Sequence, residues 1–199
     1  WYGFHVKWNP QGDRLMLVVR CVAAGKEAPQ LRSVVTMRGD GTDIRVAVTE
    51  QAWALGGHHP DWAPDGETVT MNLRLSEDAR LSLVRVRYDG SDLHAMTRVP
   101  GSGHPTLHPN GRHVVTDAYL HEEQAYGDRT TPIRWINTIA DREEAIVRIN
   151  IDPPYPGPRR QLRIDPHPAW DRDYQQVVFN GCDQGTRRVY LADVSALIG

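Results

Sequence analysis

Apolar residues in this chain come in short bursts with a period of two, not in stripes with a helical period. Val84-Arg-Val-Arg-Tyr88 alternates strictly, and Arg188-Val-Tyr-Leu-Ala192 is a second short apolar segment. Arg14–Val19, Thr68–Leu73, His113–Thr116 and Gln176–Asn180 are mostly apolar and bounded by turn residues, the pattern of half-buried or buried strands. Asp40-Gly41 and Asp89-Gly90 suit tight hairpin turns, because this pair tolerates the positive φ such turns need. No segment has a 3.6-residue period, so the pattern predicts an all-β chain. The longest apolar runs, such as Leu15–Val19, are far too short to span a bilayer.

The strands fall into a repeat. His5-Val-Lys-Trp-Asn-Pro-Gln-Gly12, His59-Pro-Asp-Trp-Ala-Pro-Asp-Gly66, His104-Pro-Thr-Leu-His-Pro-Asn-Gly111 and His167-Pro-Ala-Trp-Asp-Arg-Asp-Tyr174 align, with starts 54, 45 and 63 residues apart. Each has a large apolar residue three positions after the His, which is Trp in three cases (Trp8, Trp62, Trp170), and these Trp residues are expected in the core. The first three have Pro five on and Gly seven on. Arg172-Asp-Tyr174 replaces that Pro-x-Gly, so the last first turn is expected to differ. Repeated four-stranded meanders of this size stack radially as propeller blades.

These runs resemble the TolB-type propeller repeat, whose signature is His/Asp-Pro-x-Trp-Ser-Pro-Asp-Gly before an apolar strand, and His59–Gly66 matches it nearly residue for residue. The resemblance implies an all-β β-propeller with four four-stranded blades, at approximately 1–55, 56–100, 101–163 and 164–199. Such propellers usually have six to eight blades, the last blade here lacks a fourth strand, and Trp1 begins at an inner strand. The expectation is therefore the C-terminal part of a larger propeller of about seven blades.

Composition narrows the partners. With 23 basic and 25 acidic residues the net charge is −2, which argues against nucleic acid and anionic membranes. Cys21 and Cys182 are too few for a disulfide scaffold or a four-cysteine zinc site, and are read as free thiols. No Gly-x-Ser-x-Gly, phosphate-loop, His-Glu-x-x-His or Cys-x-x-Cys motif is present.

The long connections Val22–Arg32, Tyr119–Pro132 and Asp152–Gln161 are expected on one face, where the repeated His also stands, and long loops on a rigid scaffold are where function concentrates. His59, His104 and His167 are candidate ligands for a divalent metal, manganese or zinc, against the plainer role of bonding neighbouring backbone. His94, His113 and His121 fall off the repeat and are read as ordinary surface or strand histidines.

Two clusters are less generic: Gly103-His104-Pro105 with Thr116-Asp117-Ala118-Tyr119, and Arg163-Ile-Asp165-Pro-His167-Pro-Ala-Trp170. They resemble elements of the oligogalacturonate and ulvan lyase propellers. That resemblance implies β-elimination on a uronate-containing oligo- or polysaccharide, with His104, Tyr119, Arg163 and His167 catalytic and Asp117 and Asp165 on substrate. A cation must neutralise the uronate carboxylate before the C5 proton can leave. The lyase pattern has Gln three residues before a His-x-His pair, whereas here Leu162 and Asp165 stand at the Gln and at the first His, and a Leu ligates no metal. The other reading is a non-catalytic TolB-like propeller that binds a protein or a glycan. By analogy, TolB-like propellers are typically periplasmic or secreted, while oligogalacturonate lyases are often cytoplasmic.

Overall fold

The structure, a computed structural model, describes residues 1–22, 30–152 and 164–198. It divides into two compact units, Trp1–Gly101 and Ser102–Gly199.

The first unit holds two antiparallel four-stranded meanders. One is β1 (Tyr2–Trp8), β2 (Arg14–Cys21), β3 (Leu31–Arg38) and β4 (Arg45–Val48). The other is β5 (Gly57–Trp62), β6 (Thr68–Leu73), β7 (Ser82–Arg87) and β8 (His94–Pro100). The mostly apolar runs read from the sequence are the second strands, and with the third strands they make one core: Met16 and Val18 of β2, Val34 of β3, Val69 and Met71 of β6, and Val84 of β7. Full burial of side chains of this size contributes about 1.5–3 kcal/mol each.

In the second unit β9 (Thr106–Leu107), β10 (His113–Thr116), β11 (Thr130–Asn137) and β12 (Arg142–Asn150) form a third meander. β13 (Ala169–Trp170), β14 (Gln176–Asp183) and β15 (Thr186–Asp193) form a three-stranded sheet, joined to the third meander by the pair Asn150↔Cys182. Val115, Ile133, Trp135, Ile149, Val177 and Phe179 make the core. The fold is all-β, of the β-propeller class.

One device ties neighbouring sheets together in both units. The indole N–H of Trp62 donates to the carbonyl of Lys7 at 3.1 Å, and that of Trp170 to the carbonyl of Thr106 at 3.4 Å. Both acceptors sit one residue before the repeat's apolar position in the preceding sheet. This gives the repeat Trp a hydrogen-bonding reason beyond packing. Trp8 departs from the expectation of a core residue. It is 54% exposed, and its ring lies over Gly39, where a Cβ would come within 2.8 Å of it.

Two further expectations are corrected. A short helix α1 (Glu50–Ala54) follows β4, capped by the Thr49 hydroxyl and anchored by buried Trp53, whose Nε1 donates to Gly57 O. Five residues are too few to register as a helical period. A second short helix, α2 (Ser195–Ile198), follows β15. The last first turn also keeps the repeat geometry despite its changed residues. Tyr174 takes φ +57° where Gly12, Gly66 and Gly111 take +66° to +72°. Its N–H bonds Asp171 O at 3.3 Å, as Gly66 N–H bonds Ala63 O at 2.9 Å. The Asp171 carboxylate accepts from the backbone N–H of Gln175 and Gln176, just as the Asn9 side-chain oxygen accepts from those of Asp13 and Arg14. The side-chain cap holds the turn even where Gly is absent. Cys21 and Cys182 are free thiols.

Candidate functional site

In the first two repeats the His stands where the inner strand is bulged. The register slips between Phe4 and Lys7 in β1 and between His58 and Asp61 in β5. His5, His59 and His167 all take a left-handed backbone, with φ between +47° and +56°. Histidine is among the few non-glycine residues that visit this region with any frequency. The third repeat is different. There Gly103, one residue earlier, takes the positive φ (+53°), and His104 is free of it. A Cβ on Gly103 would come within 2.1 Å of Asp117 Oδ1 and 2.3 Å of Asp117 O. Only glycine lets the chain approach Asp117 this closely.

That approach buries His104 to 5% exposure and Asp117 to 1%. Asp117, just past β10, accepts four contacts: His104 Nδ1 at 2.9 Å and 3.0 Å, the His104 backbone N–H at 2.6 Å and the His167 backbone N–H at 3.1 Å. Burial alone would push this carboxyl up. The bonds and charge of the His104 imidazole and the two backbone N–H groups outweigh it, holding Asp117 below the usual carboxylate range. An ionised carboxylate only accepts, so Nδ1 carries the proton and Nε2 is turned outward. The Tyr119 hydroxyl lies 3.3 Å from that Nε2. The His167 ring lies against His104, with centroids 3.6 Å apart.

The loop after β10 is itself held down. The Glu122 carboxylate accepts from the Ser102 hydroxyl at 2.6 Å and from the Tyr119 backbone N–H at 2.8 Å. The carbonyl of Asp117, 2.9 Å from the same Ser102 oxygen, is the alternative acceptor for its one proton. Tyr119 is thus fixed at both ends, by its backbone and by its hydroxyl. His121, read from the sequence as an ordinary surface residue, stacks on the Tyr119 ring with centroids 5.5 Å apart and planes 13° apart. The other two off-repeat histidines match their reading: His94 is exposed, and His113 is buried in β10, where burial and the neighbouring Arg112 push its pKa down.

Of the sequence candidates, His104, Asp117, Tyr119 and His167 come together here. Half-buried Asp165 lines a pocket shared with Tyr119. His59 belongs to the first unit, where its ring lies 6.3 Å from that of His5 and 4.7 Å from that of His58. Arg163 and Leu162 lie outside the described residues, as do most of the Val22–Arg32 and Asp152–Gln161 loops. Sequence reasoning missed Ser102, Glu122 and His121. The only signal was Glu122 three residues beyond Tyr119, the spacing at which a carboxylate can reach back to a backbone N–H.

The donor set suits a transition metal in part. Ligand nitrogens of His104 and His167 lie within 4.8 Å of each other, and Asp117 behind His104 is the carboxylate–histidine arrangement found around metal ligands.

No protein-family model matches the chain, and no curated protein matches it. Solved structures do. An oligogalacturonate lyase in complex with manganese superposes with a TM-score of 0.70 at 19% identity, over 96% of this chain and 48% of its own. An oligogalacturonate lyase from Vibrio parahaemolyticus gives 0.68 at 18% identity, over 96% and 48%. TolB from Acinetobacter baumannii gives 0.60 at 14% identity, over 92% and 39%. The chain spans about half the length of these lyases. What it has in common with them and with TolB is the β-propeller fold.

Proposed function

We propose that this chain carries the proton-transfer site of a propeller lyase that cleaves a uronate-containing oligo- or polysaccharide by β-elimination. The observation that carries the reading is the buried Asp117–His104–Tyr119 chain, an oriented imidazole whose outward nitrogen meets a fixed phenol. His104 Nε2 takes the C5 proton of the uronate, and Asp117 stabilises the imidazolium that forms. The electron pair of the C–H bond becomes the C4=C5 double bond, the C4–O bond breaks, and the leaving oxygen takes the Tyr119 proton. His104 then returns its proton to Tyr119, so both groups are reset.

The C5 proton is acidic enough only when the carboxylate beside it is neutralised. Arg163 is the sequence candidate for that role. The second source is a divalent metal, manganese or zinc, for which His104 and His167 are the ligands on this unit; His59 holds the same repeat position in the first unit. Bound there, a metal supplies a positive charge for the carboxylate. One Nε2 cannot both hold a metal and accept a proton, so with a metal bound there Tyr119 would have to act as a phenolate, taking the C5 proton and passing that same proton to the leaving oxygen. The TolB-like alternative, a scaffold for a protein or glycan partner, is favoured by the two backbone N–H groups on Asp117, which give that residue a purely structural use.

The test is release of unsaturated uronate, followed by ultraviolet absorbance on acidic polysaccharides, with elemental analysis of protein purified without a histidine tag. The lyase reading expects Tyr119→Phe to lower kcat about a hundredfold or more with little change in KM. Stoichiometric metal lost in both His104→Ala and His167→Ala would assign those residues as ligands. Absence of product from every uronate polymer, with unchanged glycan or protein binding in the variants, would leave the scaffold.

A further inference from the structure

The last sheet stops at its third strand. β15 pairs with β14 along its whole length, from Gln176↔Asp193 to Asp183↔Thr186, with no slip of register. In the other meanders a fourth strand covers the third: β4 on β3, β8 on β7 and β12 on β11. Among the described residues no strand pairs with the outer edge of β15. The chain itself turns away there. Val194 is 1% exposed and its N–H donates to Gln175 O at 2.9 Å, the Asp193 carboxylate accepts from the Ser195 N–H and hydroxyl, and Ile198 packs on the core. An antiparallel strand with one free edge turns the N–H and C=O of every second residue outward, a template for another strand. β15 carries neither Pro nor bulge to blunt that edge.

Side chains along β15 alternate between two faces. Tyr190 and Ala192 pack on the core, and the Tyr190 ring stacks on that of Phe179 with centroids 5.6 Å apart. The other face carries Arg187, Val189, Leu191 and Asp193, with Val189 71% and Leu191 59% exposed. This order of a cation, two apolar residues and an anion is its own complement when the strand is reversed. We infer that β15 is a self-association edge, on which a second copy of the chain lays its own β15 antiparallel about a twofold axis at Tyr190. Arg187 then stands opposite Asp193 of the partner subunit and Val189 opposite Leu191 of the partner subunit, and symmetry makes each pair twice. Opposite charges and apolar pairs directly across an antiparallel ladder stabilise it. A shift of two residues sets Arg187 against Leu191, or Val189 against Asp193, and a one-residue slip turns the matched residues to opposite faces, so the pattern fixes one register. Strand addition supplies main-chain hydrogen bonds for affinity, and these side chains supply the specificity.

The experiment is sedimentation equilibrium of the intact chain from about 1 μM to about 100 μM, the range in which a modest interface dissociates, with melting temperature as the check on folding. The expected result is a dimer that dissociates on dilution. Val189→Lys and Leu191→Lys place a charge at exposed positions of the edge, so both should stay folded and raise the dimer dissociation constant about tenfold or more. Arg187→Glu should weaken the dimer as well. Combining it with Asp193→Arg should recover the dimer, because the ion pair is then reversed across the twofold and not lost. A monomer at the highest concentration would overturn the inference. So would a dimer that the folded Lys variants leave unchanged, which would place the contact elsewhere. Hydrogen exchange tells two kinds of monomer apart: slow exchange of the outward-facing β15 amides would mean that another segment covers the edge, and that also rejects the second copy.

Discussion

Asp117 is 1% exposed yet takes a ring N–H and two backbone N–H groups, so its removal leaves three donors stranded out of water. Asp117→Ala is expected to cost about 3–5 kcal/mol of stability in denaturant unfolding, because several buried donors lose an ionised acceptor at once and each costs about 1–3 kcal/mol when left unsatisfied. The pH dependence follows from the direction of its shift. Its folded pKa lies below the unfolded carboxylate value of about 3.9, so acid protonates the unfolded chain first. This group's stabilisation is complete above about 3.9 and is lost as pH falls through the folded value. Melting temperature between about pH 5 and pH 2 should therefore fall more steeply for wild type than for Asp117→Asn. Equal slopes would mean that Asp117 is not held ionised. At this scale the sequence was informative where a residue broke the repeat. Gly103-His104 and Asp117-x-Tyr119 stood out because no blade needs them. Glu122 and Ser102 did not, because the three-residue spacing from Tyr119 to Glu122 is common in loops and says nothing of the Ser102 hydroxyl that the carboxylate also holds.

The repeat writes the same residues into elements that use them differently. Trp62 is 8% exposed and hydrogen-bonded, whereas Trp8 is 54% exposed over Gly39. Trp62→Ala should cost about 3–5 kcal/mol and Trp8→Ala about 1 kcal/mol or less, both read from unfolding midpoints. Similar costs at the two positions would show that the exposure difference carries no energy. Glycines divide the same way. Gly111→Ala meets nothing within 4 Å and pays only for its φ of +69°, about 1–2 kcal/mol. Gly103→Ala adds a collision with Asp117, so it should cost more than Gly111→Ala and should slow turnover as well. Strand positions were legible because period-two alternation and Asp-Gly turns are local. The Tyr174 turn was misread because its left-handed backbone is enforced by the Asp171 cap and not by the residue that adopts it. The short α1 escaped because Thr49 and Trp53 specify it through one cap and one buried ring.

For the whole molecule, charge decides how an acidic partner would be held. A net charge of −2 gives no long-range pull on a polyanion, so recognition of a uronate has to come from contacts inside the site. Four similar blades could be read along the chain because repetition survives low identity. That two units part at Gly101 and Ser102, and not at another blade boundary, could not be read, because no change in composition marks that point. The charge argument is open to measurement. Proteins that bind polyanions through a basic surface lose affinity steeply with salt, by about a thousandfold or more for a fourfold rise. Raising salt from about 0.1 M to about 1 M shortens the screening length from about 10 Å to about 3 Å. Contacts closer than that, partly shielded from solvent, feel little of the change. Affinity for an acidic oligosaccharide should therefore fall by less than about tenfold across this range, and DNA-cellulose should not retain the protein at the low end. A steep salt dependence would place recognition on a charged surface and away from the Asp117–His104–Tyr119 site. A shallow one, combined with loss of binding in Tyr119→Phe, would keep recognition at that site.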